Sequence, residues 1–189
     1  MELVAYQDTT VFDELKSEWN DLLGRAPINN IFYTWEWHST WWDAYHPGEL
    51  LVLACRNEGQ LVGIASLFVA QGDAGRAVHF VGCIEVTDYL DFIVDKDHAE
   101  AVYAEFVQYF KNHRGDTFDF LDFCNVPQES LTYEILPRLL TENGFDTNSS
   151  KLEVCPVIDL PDDWGGYLSQ LEKKQRHEVR PKLRRPGGH

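Results

Sequence analysis

Apolar residues recur at helical spacing in five segments of the chain. In the first segment Phe12, Leu15, Trp19 and Leu22 fall on one face of a helix. Thr9 or Thr10 can cap its start, since a hydroxyl accepts a hydrogen bond from the free amides of the first turn. The pattern predicts helices over residues 11–23, 34–45, 99–113, 131–143 and 164–179.

Short apolar runs between turn residues predict strands. Residues 50–56 and 61–69 flank Asn57-Glu58-Gly59, which predicts a hairpin. Residues 118–123 alternate apolar and polar side chains strictly, as a half-buried strand does. Further strands are predicted at residues 77–82, 90–94 and 152–160.

The order of these elements indicates the fold class. Two helices precede a strand meander, and helices then alternate with strands. Consecutive hairpin strands followed by β-α-β units give a mixed, mostly antiparallel sheet with helices on its faces. The sequence therefore predicts an α/β (α+β) protein.

Composition narrows the classes of function. The chain has 189 residues, a formal net charge of -15 and 44% hydrophobic residues, which are values of a globular domain. An acidic surface excludes a general nucleic-acid binder, because phosphates need positive partners. No stretch approaches the roughly 18 apolar residues of a membrane span, and the N-terminus has no secretory pattern. We expect a cytoplasmic protein.

The charge is split along the chain. Residues 171–189 carry a net +5, and the preceding 170 residues carry a net -20. Three interpretations of the basic segment stay open: a solvated helix, a helix that docks on an acidic face of this or another domain, or, least favoured, a nucleic-acid contact.

Cysteine and histidine spacing gives no metal site. Cys55, Cys83, Cys124 and Cys155 lie far apart without a CxxC pair, which predicts four small buried side chains in a reducing compartment. The seven histidines show no ligand spacing. His79, inside a predicted strand, is the one histidine worth testing as a base.

Four motifs in order resemble a known superfamily. They are an aromatic segment (Phe32-Tyr33-Thr34-Trp35-Glu36-Trp37, then Trp41-Trp42), the hairpin from Leu51 to Leu67, Asp88-Tyr89-Leu90-Asp91, and the basic Lys174-Gln175-Arg176 with Arg180, Arg184 and Arg185. Together they resemble the GCN5-related N-acetyltransferase (GNAT) superfamily, and within it the FemAB-like branch, also called BioF2-like or CelD-type.

This resemblance implies a tandem of two GNAT-like domains. Residues 1–170 would form the first domain, and residues 171–189 would open a truncated second one with the basic helix of Lys174, Arg176, Arg180 and Arg184. Pro181 and Pro186 depart from that helix, since an internal proline costs about 3 kcal/mol. The later domain of the family usually holds the acyl donor, acyl-CoA (acetyl-CoA).

The phosphate-binding turn of the superfamily is not found in this sequence. That turn is glycine-rich and leads into a helix, so that backbone amides face the pyrophosphate of the donor. Gly72–Arg76 lies between strands and contains an aspartate, and Gly165-Gly166 follows two aspartates. We expect poor acyl-CoA binding by this chain alone.

Acceptor binding has two groups of candidates. Asp88, Tyr89 and Asp91 place carboxylates and a phenol at a strand end, where a carboxylate of raised pKa could act as general base. The alternative is that Asp88 caps a turn and Tyr89 packs on the sheet. Trp35 and Trp37 could stack on a sugar, although core packing accounts for most of the tryptophans, with an exposed Trp35 or Trp42 as the alternative.

The resemblance implies an N- or O-acyltransferase that acts on a small-molecule, sugar or cell-envelope acceptor, as in polysaccharide biosynthesis. This chain would be its acceptor-side part, inactive alone, with a second GNAT-like domain as partner in cis. Two alternatives stay open: a non-catalytic binding module of the same fold, and a FemAB-type transferase that uses aminoacyl-tRNA.

Overall fold

In the computed structural model, which describes residues 1–83 and 86–177, six strands form one sheet. The strands are β1 (Glu2–Tyr6), β2 (Glu49–Asn57), β3 (Gln60–Gly72), β4 (Gly75–Phe80), β5 (Ile93–Val94) and β6 (Phe120–Leu121). The helices are α1 (Thr10–Leu23), α2 (Trp35–Tyr45), α3 (Ala99–His113), α4 (Leu131–Glu142) and α5 (Trp164–Gln170). The chain divides into two compact units between residues 152 and 153. All elements except α5 belong to the first unit.

The sheet is mostly antiparallel, which confirms the predicted fold class. Its order is β1-β2-β3-β4-β6, with β5 paired to β3, and β4 and β6 are parallel. β4 and β5 share one side of β3: Phe80 lies opposite Leu67, and Ile93 lies opposite Ile64. The chain therefore leaves β3 after Phe80 and returns to it at Ile93.

Two hydrophobic cores lie on opposite faces of this sheet. α3 and α4 cover one face, where Phe106 and Phe110 are fully buried. α1 and α2 cover the other face, where Leu15 and Trp19 are fully buried. Because β2 and β3 are buried on both faces, their sequences are nearly continuous apolar runs rather than alternating ones.

Several predicted elements differ from the structure. β1 was not predicted, although it pairs with β2 from Glu2 to Tyr6. The predicted strands 90–94 and 118–123 are two-residue strands, since the ladder with β3 or β4 is that short. Residues 152–160 form no strand, and apolar side chains there are exposed, because no neighbouring strand pairs with them in the described part of the chain.

The helix ends also differ in part. The predicted helix 164–179 ends at Gln170, because Leu171 takes an extended conformation, and helix resumes at residues 173–177. Residues 178 and 179 lie outside the described residues. Thr9 makes no side-chain cap on α1; the Asp8 carboxylate accepts from the Thr10 amide at 2.9 Å instead.

One glycine permits the contact between β3 and α3. A Cβ atom at Gly63 would lie 2.3 Å from Cγ1 of Val102, which is fully buried. We expect Gly63→Ala to lower the free energy of unfolding by about 1–3 kcal/mol, as overpacking does. Urea unfolding measures it, with Gly72→Ala as the control, since its nearest neighbour would be 3.8 Å away. Equal stability of both variants would contradict this close contact.

Candidate functional site

The three residues predicted from the Asp-Tyr-x-Asp motif lie in different surroundings. Asp88 is exposed, and Tyr89 is half-buried with its ring 6.3 Å from that of Phe32. Asp91 is buried. Because the segment runs from the surface into the core, only Asp91 reaches the interior between the sheet and the helices.

Asp91 ends a chain of hydrogen bonds that includes two residues from helices. The Thr132 hydroxyl, on α4, donates to Asp91 Oδ1, and the Phe92 amide donates to the same oxygen at 2.8 Å. The Tyr103 hydroxyl, on α3, lies 2.7 Å from the Thr132 hydroxyl. Since Thr132 gives its only proton to Asp91, Tyr103 is the donor to Thr132. We call Asp91, Thr132 and Tyr103 the Asp91 cluster.

Burial has the largest effect on the pKa values of this cluster. It raises the pKa of Asp91 to about 7, although the hydrogen bonds from Thr132 and Phe92 act in the opposite direction. Burial, followed by the negative charge of Asp91, also raises the pKa of Tyr103 and of Tyr33. Near neutral pH the Asp91 carboxyl can therefore both take up and release a proton.

A small cavity adjoins the carboxyl. Its volume is about 10 Å³, and its walls include Asp91, Tyr103, Pro27 and Leu131. That is about the space of one water molecule. The cavity therefore has room for one water molecule beside the Asp91 carboxyl.

The tryptophans predicted to stack on an acceptor are half-buried and bonded within the domain. The Trp37 indole donates to the Thr87 hydroxyl at 3.2 Å, four residues before Asp91. The Trp35 indole donates to the Phe12 carbonyl at 2.6 Å, and Lys16 lies 4.0 Å above its ring. Trp42 is buried, so the exposed alternative is wrong for it. Trp37 is thus bonded to the segment that carries Asp91.

A disulfide joins the two chain segments that follow β4 and β6. Cys83 and Cys124 are bonded, and their Cα atoms are 6.8 Å apart. The prediction of four unpaired, buried cysteines is wrong for Cys83 and Cys124, which are bonded, and for Cys155, which is free but exposed. It is correct for Cys55, which is free and buried. The sequence could not indicate the pair, because the two residues are 41 positions apart and meet only through the parallel β4–β6 pairing.

Hydrogen bonds extend this junction toward Asp91. The Asn125 side-chain amide donates to the Thr87 carbonyl at 2.8 Å, and the Leu90 amide donates to the Asn125 carbonyl at 3.0 Å. Asn125 has a φ of 57°, in the left-handed region that asparagine tolerates. The carboxyl-terminal ends of β4 and β6 are thus held together beside the Asp91 cluster.

The start of α3 does not fit the phosphates of an acyl donor. This helix connects β5 to β6, where a phosphate-binding turn would lie in a β-α-β unit. The buried Asp95 carboxylate caps the 3-10 turn of Lys96–His98 that leads into α3: it accepts from the Asp97 amide at 3.0 Å and from Arg25 Nε at 2.7 Å. Burial opposes ionisation, but these bonds prevail and lower the pKa of Asp95. A fixed carboxylate repels phosphate.

The remaining predicted residues add no metal or base constellation. The His79 ring lies 3.5 Å from the Asp122 carboxylate, at the neighbouring ends of β4 and β6. No group of three possible metal ligands occurs in residues 1–83 and 86–177. Of the basic segment, Lys174 and Arg176 lie in the helical residues 173–177, and Arg176 donates to the Leu171 carbonyl. Arg180 and Arg184 lie outside the described residues.

Comparison of the whole chain with known proteins gives a likeness in structure. No family model matches the sequence, and no curated protein matches it. A solved structure of a probable acetyltransferase superposes with a TM-score of 0.50 at 13% identity, covering 85% of this chain and 100% of the other.

At that identity the likeness shows the fold. The chain has a GNAT fold. Two further structures are similar with lower scores. Glucosamine-6-phosphate N-acetyltransferase from Arabidopsis thaliana gives a TM-score of 0.47 at 12% identity, covering 82% of this chain and 99% of the other. A GNAT family acetyltransferase from Staphylococcus aureus gives 0.43 at 11%, covering 82% and 100%.

The GNAT-fold domain holds functional candidates that the sequence did not indicate. Thr132 and Tyr103 contact Asp91 or each other across 41 and 29 positions of sequence, and Arg25 reaches Asp95 across 70. A buried carboxyl must find partners, but a sequence does not name them.

Within residues 1–83 and 86–177, every helix is too short or too polar to span a membrane.

Proposed function

We propose that this chain is the acceptor-side GNAT-fold domain of a FemAB-like N- or O-acyltransferase. The acceptor would be an amine or hydroxyl of a small molecule, sugar or cell-envelope precursor in the cytoplasm. A second GNAT-like domain, which the basic segment 171–189 would open, would hold acyl-CoA. The likeness in fold to a probable acetyltransferase supports the general kind of activity.

The buried Asp91 carboxyl is the observation that carries the proposal. Acyl transfer to an amine or hydroxyl requires a group that removes a proton from the acceptor. Asp91 has a pKa of about 7 and a directed hydrogen-bond chain through Thr132 to Tyr103, which holds the carboxyl in one orientation. Such a carboxyl is partly ionised near neutral pH and suited to this role.

The start of α3 supports the proposal that this domain binds the acceptor and another domain binds the donor. Asp95 places a carboxylate at the 3-10 turn that leads into α3, near the place where a donor phosphate would bind, and Arg25 is bonded to Asp95 and to the Leu61 carbonyl. A cation that is paired in this way is not free for a phosphate. These contacts support the proposal that another domain binds the donor.

Titration calorimetry with acetyl-CoA tests this division. We expect no measurable heat of binding for residues 1–189, because Asp95 repels the pyrophosphate at α3. A chain extended by its downstream coding sequence should bind acetyl-CoA and transfer the acetyl group to amines. Tight binding by residues 1–189 alone would contradict the proposal that the donor site lies elsewhere.

The role of Asp91 has its own test in the extended chain. Asp91→Asn should lower kcat by about 100-fold or more, the usual contribution of a general base, with little change in KM. Asp88→Asn is the matched control, since Asp88 is exposed three positions earlier. Equal kcat values in both variants would exclude Asp91 as the base.

A non-catalytic binding module of the same fold is the second candidate. The Asp95 carboxylate at the turn before α3 favours it, because a fixed negative charge there disfavours donor phosphates. An extended chain that binds neither acetyl-CoA nor aminoacyl-tRNA would support this candidate. Transfer from aminoacyl-tRNA alone would support the FemAB-type alternative.

A further inference from the structure

The disulfide lies at one end of two chain segments that the structure holds side by side. The first segment, residues 86–91, comes shortly after Cys83 and ends in Asp91. The second segment, residues 124–132, begins with Cys124 and reaches into α4. We propose that this disulfide is a redox switch: the closed bond holds the 86–91 segment and its buried carboxyl in place, and reduction of the bond releases them.

Hydrogen bonds join the two segments between the disulfide and the carboxyl. The Asn125 side-chain amide donates to the Thr87 carbonyl at 2.8 Å, and the Asn125 carbonyl accepts from the Leu90 amide at 3.0 Å. At the far end, the Thr132 hydroxyl donates to Asp91. The disulfide, the two bonds of Asn125 and the bond of Thr132 therefore follow one another in chain order, with the covalent bond at the end opposite to Asp91.

Asn125 is the residue whose conformation the disulfide holds most directly. Its φ of 57° is in the left-handed region, a conformation that persists where its surroundings fix it. Cys124 precedes it in the chain, so the covalent bond fixes the backbone on that side. A neutral hydrogen bond adds little net stability, because the released groups bond to water instead. Without the disulfide, Asn125 can return to an ordinary backbone conformation and lose its bonds to the 86–91 segment.

On the β4 side of the disulfide, tight packing reaches the same residues. A Cβ atom at Gly82 would lie 2.7 Å from Leu90 Cδ2 and 3.2 Å from the Thr87 hydroxyl oxygen. That hydroxyl also accepts from the Trp37 indole at 3.2 Å. The backbone next to the disulfide thus packs on the two residues that Asn125 bonds, and opening of the disulfide disturbs both of them.

The two sulfurs belong to residues that a reductant can reach. Cys83 and Cys124 are half-buried, whereas Cys55 is fully buried, and thiol–disulfide exchange requires access for the attacking thiolate. In a cytoplasm, which the sequence predicts, disulfides are usually transient and redox-sensing rather than structural. The half-exposed position and the predicted compartment therefore both favour a switch over a permanent crosslink.

The reductant is a dithiol, and the exchange balances. One thiolate of the dithiol attacks a sulfur of the protein disulfide, which forms a mixed disulfide and releases the other cysteine as a thiolate. The second thiol of the reductant then displaces the first cysteine. One protein disulfide and one dithiol become two protein thiols and one cyclic disulfide, so that two electrons and two protons pass to the protein.

NMR spectroscopy of the labelled chain, oxidised and then reduced with dithiothreitol, tests the proposal. We expect reduction to shift the indole resonance of Trp37 and the amide resonances of Leu90 and Asn125, and to leave those of the β2–β3 hairpin in place. The carboxyl carbon of Asp91 should titrate with a pKa of about 7 in the oxidised chain. Its acid dissociation constant should be about ten-fold larger after reduction, because the released carboxyl gains contact with water.

Two variants serve as controls. Cys83→Ala combined with Cys124→Ala should give the spectrum of the reduced chain with or without dithiothreitol. Cys155→Ala should respond as the parent chain does, since Cys155 is free and exposed. The inference is overturned if reduction leaves Trp37 and Asp91 unchanged. It is also overturned if the hairpin resonances collapse together with theirs, because the bond would then hold the whole domain.

The consequence for acyl transfer rests on the proposed function. In the extended chain, dithiothreitol should lower kcat about ten-fold or more, because a released carboxyl no longer meets the acceptor in one orientation. The variant without Cys83 and Cys124 should not respond to dithiothreitol. If the spectra respond and transfer does not, the switch stands and Asp91 is rejected as the base. An extended chain without any transfer rejects the transferase, and the spectra still decide the switch.

Discussion

Replacing both cysteines of the disulfide, Cys83→Ala with Cys124→Ala, is expected to lower the free energy of unfolding by about 4 kcal/mol. The bond closes a loop of 41 positions, and the loss of that constraint raises the conformational entropy of the unfolded chain. The chain-entropy relation gives about 4 kcal/mol for a loop of this length. Urea unfolding of both chains without a reducing agent measures the difference.

Two controls separate the disulfide from a change of side chain. Cys155→Ala should leave the free energy of unfolding nearly unchanged, because Cys155 is free and exposed. A dithiol reductant should bring the parent chain close to the double variant and leave the variant unaltered. Thiol titration of the unfolded, unreduced chain should find two thiols, Cys55 and Cys155. Four thiols and equal stabilities would contradict the pairing.

The disulfide bears on the compartment as well as on stability. Structural disulfides persist where the surroundings are oxidising and are rare in a reducing cytoplasm. The cytoplasm therefore stays a prediction, and the cysteines no longer support it. In a reducing cytoplasm the two cysteines would be unbonded. The free energy of unfolding of the double variant would then describe the protein better than that of the oxidised chain.

Elements with a strong local pattern were predictable from the sequence. Helices α1, α3 and α4 were found because apolar residues mark their buried faces, and β2 and β3 because turn residues separate two apolar runs. β1 was missed because its five residues show no alternation of burial, and its stability comes from pairing with β2, which is remote in sequence. Long-range pairing also decides how short β5 and β6 are.

Of the Asp91 cluster, the sequence predicted Asp91 but neither of its partners. The sequence indicated Asp91 together with Asp88 and Tyr89, because two carboxylates and a phenol lie at a strand end in a motif that resembles a family. Its burial and its partner Thr132 depend on how α4 packs over the sheet, which no local spacing encodes. The same holds for Asp95, whose partner Arg25 follows α1 and lies 70 positions away in sequence.

Burial shifts the pKa values of two groups in directions that have opposite effects on stability. We therefore expect opposite pH dependences of the free energy of unfolding. Burial lowers the pKa of His38 from 6.5 to about 3, and its Nδ1 lies 3.1 Å from the Ser66 hydroxyl. Between these pH values the unfolded chain binds one more proton than the folded chain. The free energy of unfolding therefore rises with pH by about 1.4 kcal/mol per unit because of His38.

Asp91 acts in the other direction. Its pKa is about 7 in the folded chain against an ordinary value of 3.8, so the folded chain binds one more proton between these values. The free energy of unfolding falls with pH by about 1.4 kcal/mol per unit because of Asp91. The two windows overlap from pH 3.8 to 6.5, where the contributions of His38 and Asp91 cancel.

Single substitutions should separate the two pH dependences of the free energy of unfolding, which cancel in the parent chain. In urea unfolding across this window, Asp91→Asn should show stability that rises with pH relative to the parent chain, and His38→Gln should show stability that falls. All other titrating groups are common to the three chains and drop out of the differences. The double variant, Asp91→Asn with His38→Gln, should return to the parent slope, since neither group then titrates. Parallel profiles for the parent and both single variants would show that neither group is held in its unusual protonation state by burial, and the proton-accepting role of Asp91 would lose its physical basis.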